Sequence, residues 1–229
     1  YNSPPMVFSR KPRQTGDDAS QGKAEGAPKE ISDSALLQHH LDGDPNAFRA
    51  LIDRYRQELY GFLARFTGDK ELAEDVFQEA FLQLHISAAT FDTSKRLKPW
   101  LFTIAANKAR DALRKRSRRQ MAPLDNHVGA DSDDSATYGD LIPADIPLPE
   151  ETLANLELRQ AVEGIVQAMP ENLRVVLVMA YFSDMSYKDI ATALRTPLGT
   201  IKSRLHTAVR VFAEKWTSAA RHLGYDQES

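Results

Sequence analysis

The sequence contains no cysteine. That absence excludes disulfide staples, thiolate-held zinc and cysteine nucleophiles, and it fits a reducing cytoplasm without proving one. No run of about 18 apolar residues occurs, so no segment is expected to span a membrane. The first 30 residues lack the apolar stretch of a secretory signal. Phosphate-binding loops, a GxSxG nucleophile elbow and HExxH are also missing, which leaves the common hydrolytic and phosphoryl-transfer chemistries without their parts. No glutamate stands three residues before a histidine, so a di-iron helical bundle lacks its ligands. Neither catalysis nor a cofactor is expected. The formal net charge of −3 over 229 residues argues against indiscriminate nucleic-acid binding, and the distribution of charge matters more than its sum.

What is present is helical periodicity. Residues 1–30 are rich in Gly, Pro, Ser, Lys and Asp and are expected to be disordered. From Ser32 a short helix runs to Leu41, broken by Asp42-Gly-Asp-Pro45. A longer helix from Pro45 to about Thr67 repeats Phe48, Leu51, Ile52, Tyr55, Leu59, Phe62, Leu63 and Phe66 at three- and four-residue spacing, the signature of one buried face. A third helix spans Lys70 to Ile86, a loop with Phe91 follows, and a fourth helix runs from Leu97 to about Arg119. Residues 120–149 then contain no Lys or Arg, six aspartates and four prolines. That composition predicts an extended acidic linker, able to reach on the order of 100 Å. A second helical unit occupies about 150–222, and the near-continuously apolar segment Leu173 to Phe182 is its expected central helix. No segment alternates convincingly as a strand. The chain is therefore read as all-α, with a four-helix N-terminal domain and a C-terminal helix-turn-helix domain joined by a flexible acidic linker.

Two stretches carry recognisable chemistry. From Ser186 to Arg210 a candidate N-cap, Ser186, precedes the apolar stripe Ile190, Ala191 and Leu194. Arg195-Thr-Pro-Leu-Gly199 interrupts the helix, because proline lacks an N–H and disfavours helix at the residue before it. A second helix then starts at Thr200. Ile201, Leu205, Ala208, Val209 and Phe212 face inward. Ser203, His206, Thr207 and Arg210 face outward, with Lys202 and Arg204 on the flanks. A helix of that character suits the DNA major groove; a plain surface hairpin is the alternative.

The second stretch is the fourth helix and its approach. Between Lys95 and Arg119 stand ten basic residues against one acid, Asp111, a density that attracts phosphates. Thr103, Asn107, Arg110, Arg114 and Ser117 line one stripe, while Leu101, Ile104, Ala105, Ala109 and Ala112 line another. Phe91 is either a stacking platform for an unpaired base or part of the core, and Trp100 is read as core. The polar face of the third helix, with Glu71, Glu74, Asp75, Gln78, Glu79 and Gln83, is either solvated or a surface for a basic partner. His39 and His40 beside Asp42 are read as surface residues.

Four segments together resemble the bacterial extracytoplasmic-function sigma factors of the sigma-70 family. They are DPNAFRALIDRY (Asp44 to Tyr55), ELAEDVFQEAFLQL (Glu71 to Leu84), KPWLFTIAANKARDALRKRSRR (Lys98 to Arg119) and LRVVLVMAYFSDMSYKDIATALRTPLGTIKSRLHTA (Leu173 to Ala208). They occur in the family's order across about Ser32 to Trp216. The resemblance implies a region 2-like domain over 31–119 and a region 4-like domain over 150–222, with tails at 1–30 and 223–229 and a linker at 120–149 that threads the polymerase channel. It implies that Glu74, Asp75, Gln78 and Glu79 dock on core RNA polymerase. Phe91 would capture a flipped-out base of the −10 element, with Asn107, Lys108, Arg110, Arg114 and Arg118 near its upstream edge. Thr200, Lys202, Ser203, Arg204, His206, Thr207 and Arg210 would contact the −35 element. The implied partners are core RNA polymerase, promoter DNA and an anti-sigma factor, for a monomeric cytoplasmic protein. Arg195 departs from the pattern, since such turns often carry glycine; a positive φ there would cost arginine on the order of 1 kcal/mol. A stand-alone helix-turn-helix regulator with an N-terminal sensing domain is the alternative. The basic fourth helix, far upstream of the helix-turn-helix, speaks against it.

Overall fold

The computed structural model describes residues 31–121 and 153–222. The expected tails and all but the first two residues of the acidic linker lie outside the described residues. Eight α-helices and one 3-10 turn (Ala88–Thr90) account for the architecture, with no strand among the described residues. The helices are α1 (Asp33–Leu41), α2 (Pro45–Thr67), α3 (Lys70–Ser87), α4 (Leu97–Met121), α5 (Leu153–Gln167), α6 (Glu171–Tyr181), α7 (Tyr187–Ala193) and α8 (Leu198–His222).

Local chemistry sets the boundaries. The Ser32 hydroxyl accepts the Ala35 N–H at 3.2 Å, and the Asp44 carboxylate accepts that of Asn46 at 2.9 Å just before Pro45 opens α2. Both leave fewer orphan donors in the first turn. Gly68 ends α2 in the left-handed region, φ 72°. Glycine adopts that conformation without strain, and a Cβ would stand 2.4 Å from Gln167 Oε1 across the fold, so a larger residue would have to displace that side chain. Asp69 then caps α3 by accepting the Leu72 N–H at 3.1 Å and pairs with Arg116. The Leu72 N–H first, and Arg116 second, hold its carboxyl below the ordinary value.

Two boundaries and one face differ from the sequence reading. α6 begins at Glu171 and α8 at Leu198, each directly after a proline. Pro170 and Pro197 need no N–H at a helix start, and their carbonyls accept from Arg174 and Ile201 at 2.9 and 3.1 Å. Thr103, expected on the polar stripe of α4, is buried. Its hydroxyl donates to the Pro99 carbonyl at 2.7 Å, which removes the cost of placing it inside.

The core is continuous from end to end. Phe62 of α2 stacks on Phe66 (centroids 5.6 Å apart) and meets Phe102 of α4 at 5.3 Å. Val175 to Ala180 are all buried, so α6 is the central helix of the C-terminal half as its composition predicts. α2 packs on α5 and α6, and α4 packs on α7. The two halves thus rest against one another.

α1 is held by Tyr55, whose hydroxyl donates to Asp33, and by Arg54, which donates to Asp33 at 2.5 Å and to the Ile31 carbonyl at 2.8 Å. At its other end His40 Nε2 sits 3.0 Å from His85 Nδ1 of α3, with the His40 ring 4.6 Å from that of Phe48. Burial first, then the charge of His85, lowers the His40 pKa below 6.5. The folded chain therefore binds fewer protons than the unfolded chain as pH falls past that value. Stability from this contact is present above about pH 6.5 and lost below it. The melting temperature should fall more for the parent chain than for His40→Gln between about pH 7.5 and about pH 5.5. Equal drops would show that the His40–His85 contact does not couple to folding.

Candidate nucleic-acid interface

The helix-turn-helix is built from α7 and α8. Ser186 caps α7 by accepting the Asp189 N–H at 3.2 Å, while its hydroxyl donates to the Asp189 carboxylate at 2.8 Å. The end of α7 closes with two hydrogen bonds, Thr196 N–H to the Ala191 carbonyl (3.0 Å) and Arg195 N–H to that of Thr192 (3.2 Å). This pairing forces the residue after the cap into the left-handed region. That residue is Arg195, and its φ is 48°. The turn does demand the conformation that favours glycine. The strain costs roughly 1–2 kcal/mol, of which glycine's extra freedom when unfolded offsets up to about 1 kcal/mol. Arg195→Gly should therefore raise stability by roughly 0.5–1 kcal/mol, read as a rightward shift in a urea melt. A loss of stability would mean that the Arg195 side chain makes a compensating contact.

α8 presents the expected face. Ile201, Leu205, Ala208 and Phe212 are buried, with Val209 half-buried. Lys202, Ser203, His206 and Arg210 are exposed, while Thr200, Arg204 and Thr207 are half-buried at the edges. Ser203 and Thr207 hydroxyls donate to the carbonyls of Thr200 and Ser203, each at 3.0 Å, local bonds that a DNA acceptor can replace. Arg210 stands 3.9 Å from Glu214 and is two-thirds exposed. Such a surface pair contributes little, so the guanidinium can swing to a base or a phosphate.

On α4, Asn107, Arg114 and Arg118 are exposed, whereas Lys108 and Arg110 are half-buried. Lys108 Nζ lies 3.2 Å from Glu79 of α3. Arg110 Nε pairs with Glu171 of α6 at 3.1 Å. Phe91 is half-buried and stacks on Trp100, 4.5 Å between centroids with 27° between planes. The structure makes these rings one aromatic surface beside the basic helix, and Trp100 is half-buried rather than wholly core.

The face of α3 splits. Asp75, Gln78 and Glu79 are exposed, and Glu74 is half-buried with one carboxylate oxygen out of solvent. Asp75 and Glu79 line one wall of an open groove of about 590 Å³ whose other wall carries Lys108, Lys115, Arg116 and Arg118. The expected polymerase-docking acids and the −10-side cations thus meet in one groove of mixed charge. Sequence reasoning missed Arg96, Lys98, Gln167, Glu171 and Asp189, which join the two halves. Arg96 and Lys98 stand in the basic stretch read as attracting phosphates, and Asp189 in the acidic first turn after Ser186, but no local spacing pairs any of the five across the halves. No helix among the described residues is long and apolar enough to cross a membrane.

Two family models match this chain. Sigma-70 region 2 covers residues 51–119, the α2 to α4 part, and Sigma-70, region 4 covers residues 159–210, from α5 into α8. Among curated relatives, the RNA polymerase sigma-H factor of Pseudomonas aeruginosa is 35% identical over 77% of this chain and 89% of its own length. The ECF RNA polymerase sigma factor SigW of Bacillus subtilis is 32% identical over 72% and 86%. Among solved structures, the sigma factor RpoE of Bartonella quintana, in complex with the anti-sigma factor NepR, shares the fold. Its TM-score is 0.56 at 23% identity, over 74% of this chain and 96% of that one.

Proposed function

The chain belongs to the sigma-70 family, in its extracytoplasmic-function branch, and from that premise we propose how its residues direct RNA polymerase to promoters. The α2–α4 half grips polymerase and the −10 element; the α5–α8 half grips the −35 element. Asp75, Gln78 and Glu79, with Glu74 behind them, meet the polymerase clamp from the exposed face of α3. Phe91, backed by Trp100, takes up a base that leaves the duplex. Unstacking a base costs a few kcal/mol, and an aromatic surface that re-stacks it offsets part of that cost. Asn107, Lys108, Arg110, Arg114 and Arg118 hold the nearby backbone. On α8, Lys202, Ser203, Arg204, His206 and Arg210 contact the −35 element, with Thr200 and Thr207 at the edges.

One observation carries this reading: a densely basic helix and an exposed recognition helix occur in one chain, in the order of two sigma-70 regions. A stand-alone regulator has no use for the first. The protein acts without catalysis of its own, in the cytoplasm where polymerase transcribes. An anti-sigma factor is a further partner in this reading, supported by the Bartonella structure of a like fold bound to one. Tethering the two grips lets each be weak, since the second contact forms at high effective concentration. The test is transcription from fragments of the source genome by purified core polymerase, with and without this chain. Discrete chain-dependent start sites are expected; their complete absence would overturn the reading.

A further inference from the structure

Among the described residues, the large apolar side chains left exposed are Ile31, Leu41, Leu82 and Ile86. Leu82 and Ile86, at 59% and 66%, are the most open of the set and stand one turn apart on α3. At about 100° per residue they continue the stripe of Glu71, Asp75, Gln78 and Glu79, all of them exposed. The stripe therefore changes character along its length, acidic over the first half of α3 and apolar over the last. Glu79 meets Lys108 at 3.2 Å, yet its side chain keeps 55% exposure. Leu41 lies at the apolar end, since it follows His40, whose ring touches that of His85 just before Ile86. Exposed apolar side chains grouped in this way on one face mark a place where another surface docks.

The chain ahead of Ile31 carries a segment of matching chemistry. Met6, Val7 and Phe8 are followed by Arg10, Lys11 and Arg13, and no acid stands in residues 1–16. Residues 1–30 hold no other Met, Val or Phe, and no Leu, Ile or Trp. Apolar residues come first in this segment and last on the α3 stripe, so the two match when they run antiparallel. Laid extended, Phe8 to Arg13 covers about 17 Å, and Leu82 to Glu71 covers about 17 Å of helix. The connection is also long enough. Arg54 donates to the Ile31 carbonyl at 2.8 Å, which fixes where the described chain begins. Arg54 stands about 21 Å along α2 from the Gly68 corner that leads into α3. The 17 residues from 14 to 30 reach up to about 55 Å, more than twice that distance.

We propose that Met6 to Arg13 docks along the exposed stripe of α3 of its own chain, antiparallel to the helix. Met6, Val7 and Phe8 cover Leu82 and Ile86, while Arg10, Lys11 and Arg13 lie along Glu79, Asp75 and Glu71. The segment is a tethered competitor for the face that meets polymerase, and the tether holds it there at high effective concentration. Polymerase must displace it, so it sets how tightly the free chain enters the complex. What the segment competes with rests on the sigma-factor reading; the docking itself does not.

Since the sequence has no cysteine, Ser9→Cys supplies a single attachment point for a nitroxide on the full chain. Amide NMR signals on the exposed face of α3, from Glu71 to Ile86, should broaden, and those of Lys202 and Arg210 on α8 should not. A segment variant, Val7→Ser and Phe8→Ser with Arg10→Glu, Lys11→Glu and Arg13→Glu, should abolish that broadening. Its changes all lie outside the described helices, so their packing is left alone. If the segment covers the stripe about four-fifths of the time, this variant without the label should bind purified core polymerase about fivefold more tightly than the parent at low salt. A control, Lys23→Glu with Lys29→Glu, reverses two charges elsewhere ahead of Ile31 and should change affinity by less than about twofold. No broadening on the α3 stripe would overturn the proposal, as would a segment variant that binds polymerase no more tightly than the control. Broadening that appears only when nitroxide-labelled chains are mixed with isotope-labelled ones would assign the stripe to a second copy and overturn it too. If no form binds polymerase, the sigma-factor reading fails while the broadening still reports docking. If all forms bind alike and no broadening is seen, only this inference fails.

Discussion

Phe212→Ala is expected to lower the unfolding free energy by about 3–5 kcal/mol. Phe212 is fully buried on α8 and stacks on Trp216 with ring centroids 6.1 Å apart and planes 9° apart. α8 packs on α5, α6 and α7, and Phe212 lies in the buried core along which they meet. Truncation leaves a cavity between them that small shifts cannot fill. A domain of ordinary stability has about 5–15 kcal/mol in hand, so the loss is a large fraction of it. Urea denaturation should show the midpoint falling, and binding to −35 duplex should weaken as the α8 surface loses its fixed orientation. Amide exchange would locate the damage: protection should fall in α5 to α8 before α3. A loss below about 1 kcal/mol would mean that the helices collapse to fill the space.

Arg210→Ala should cost about 1–3 kcal/mol on a matched −35 element and far less on a mismatched one, if the guanidinium reads a base edge. The side chain is two-thirds exposed, and its ion-pair partner among the described residues, Glu214, is 3.9 Å away. Little therefore has to be broken for Arg210 to reach DNA, and the alanine chain should melt like the parent to within about 0.5 kcal/mol. The measurement is affinity of the polymerase complex for duplexes with single −35 substitutions. Equal losses on matched and mismatched sites, with a salt slope reduced by about one, would instead assign Arg210 to a phosphate.

The order of the helices, their caps and the buried stripe of each are local consequences of composition. Ser32, Asp44 and Ser186 cap because an oxygen two or three bonds from Cα finds the free N–H groups of the next turn. Val175 to Ala180 lie inside because every face of that segment is apolar. The exposed set on α8 follows from 3.6-residue spacing alone. Family membership was carried by the same local patterns, four of them in order. The prolines moved two helix starts by two residues, because a proline at a start costs nothing that the sequence alone can weigh against a neighbouring threonine or leucine.

By itself, then, the sequence determined the helices, the reading face of α8, the basic character of α4 and the kind of protein this is. Only the tertiary structure decided that Trp100 backs Phe91. It alone joined Arg110 to Glu171, Lys98 to Ser183, Arg96 to Asp189 and Gln167 to Arg65, pairs separated by 61, 85, 93 and 102 residues. The reason is physical. Caps and stripes arise between residues within one turn, where covalent geometry fixes the neighbours in advance. Two charges far apart along the chain each look like solvated surface until packing of α2 and α4 on α5, α6 and α7 brings them within a few ångströms, and only then does either one acquire a partner.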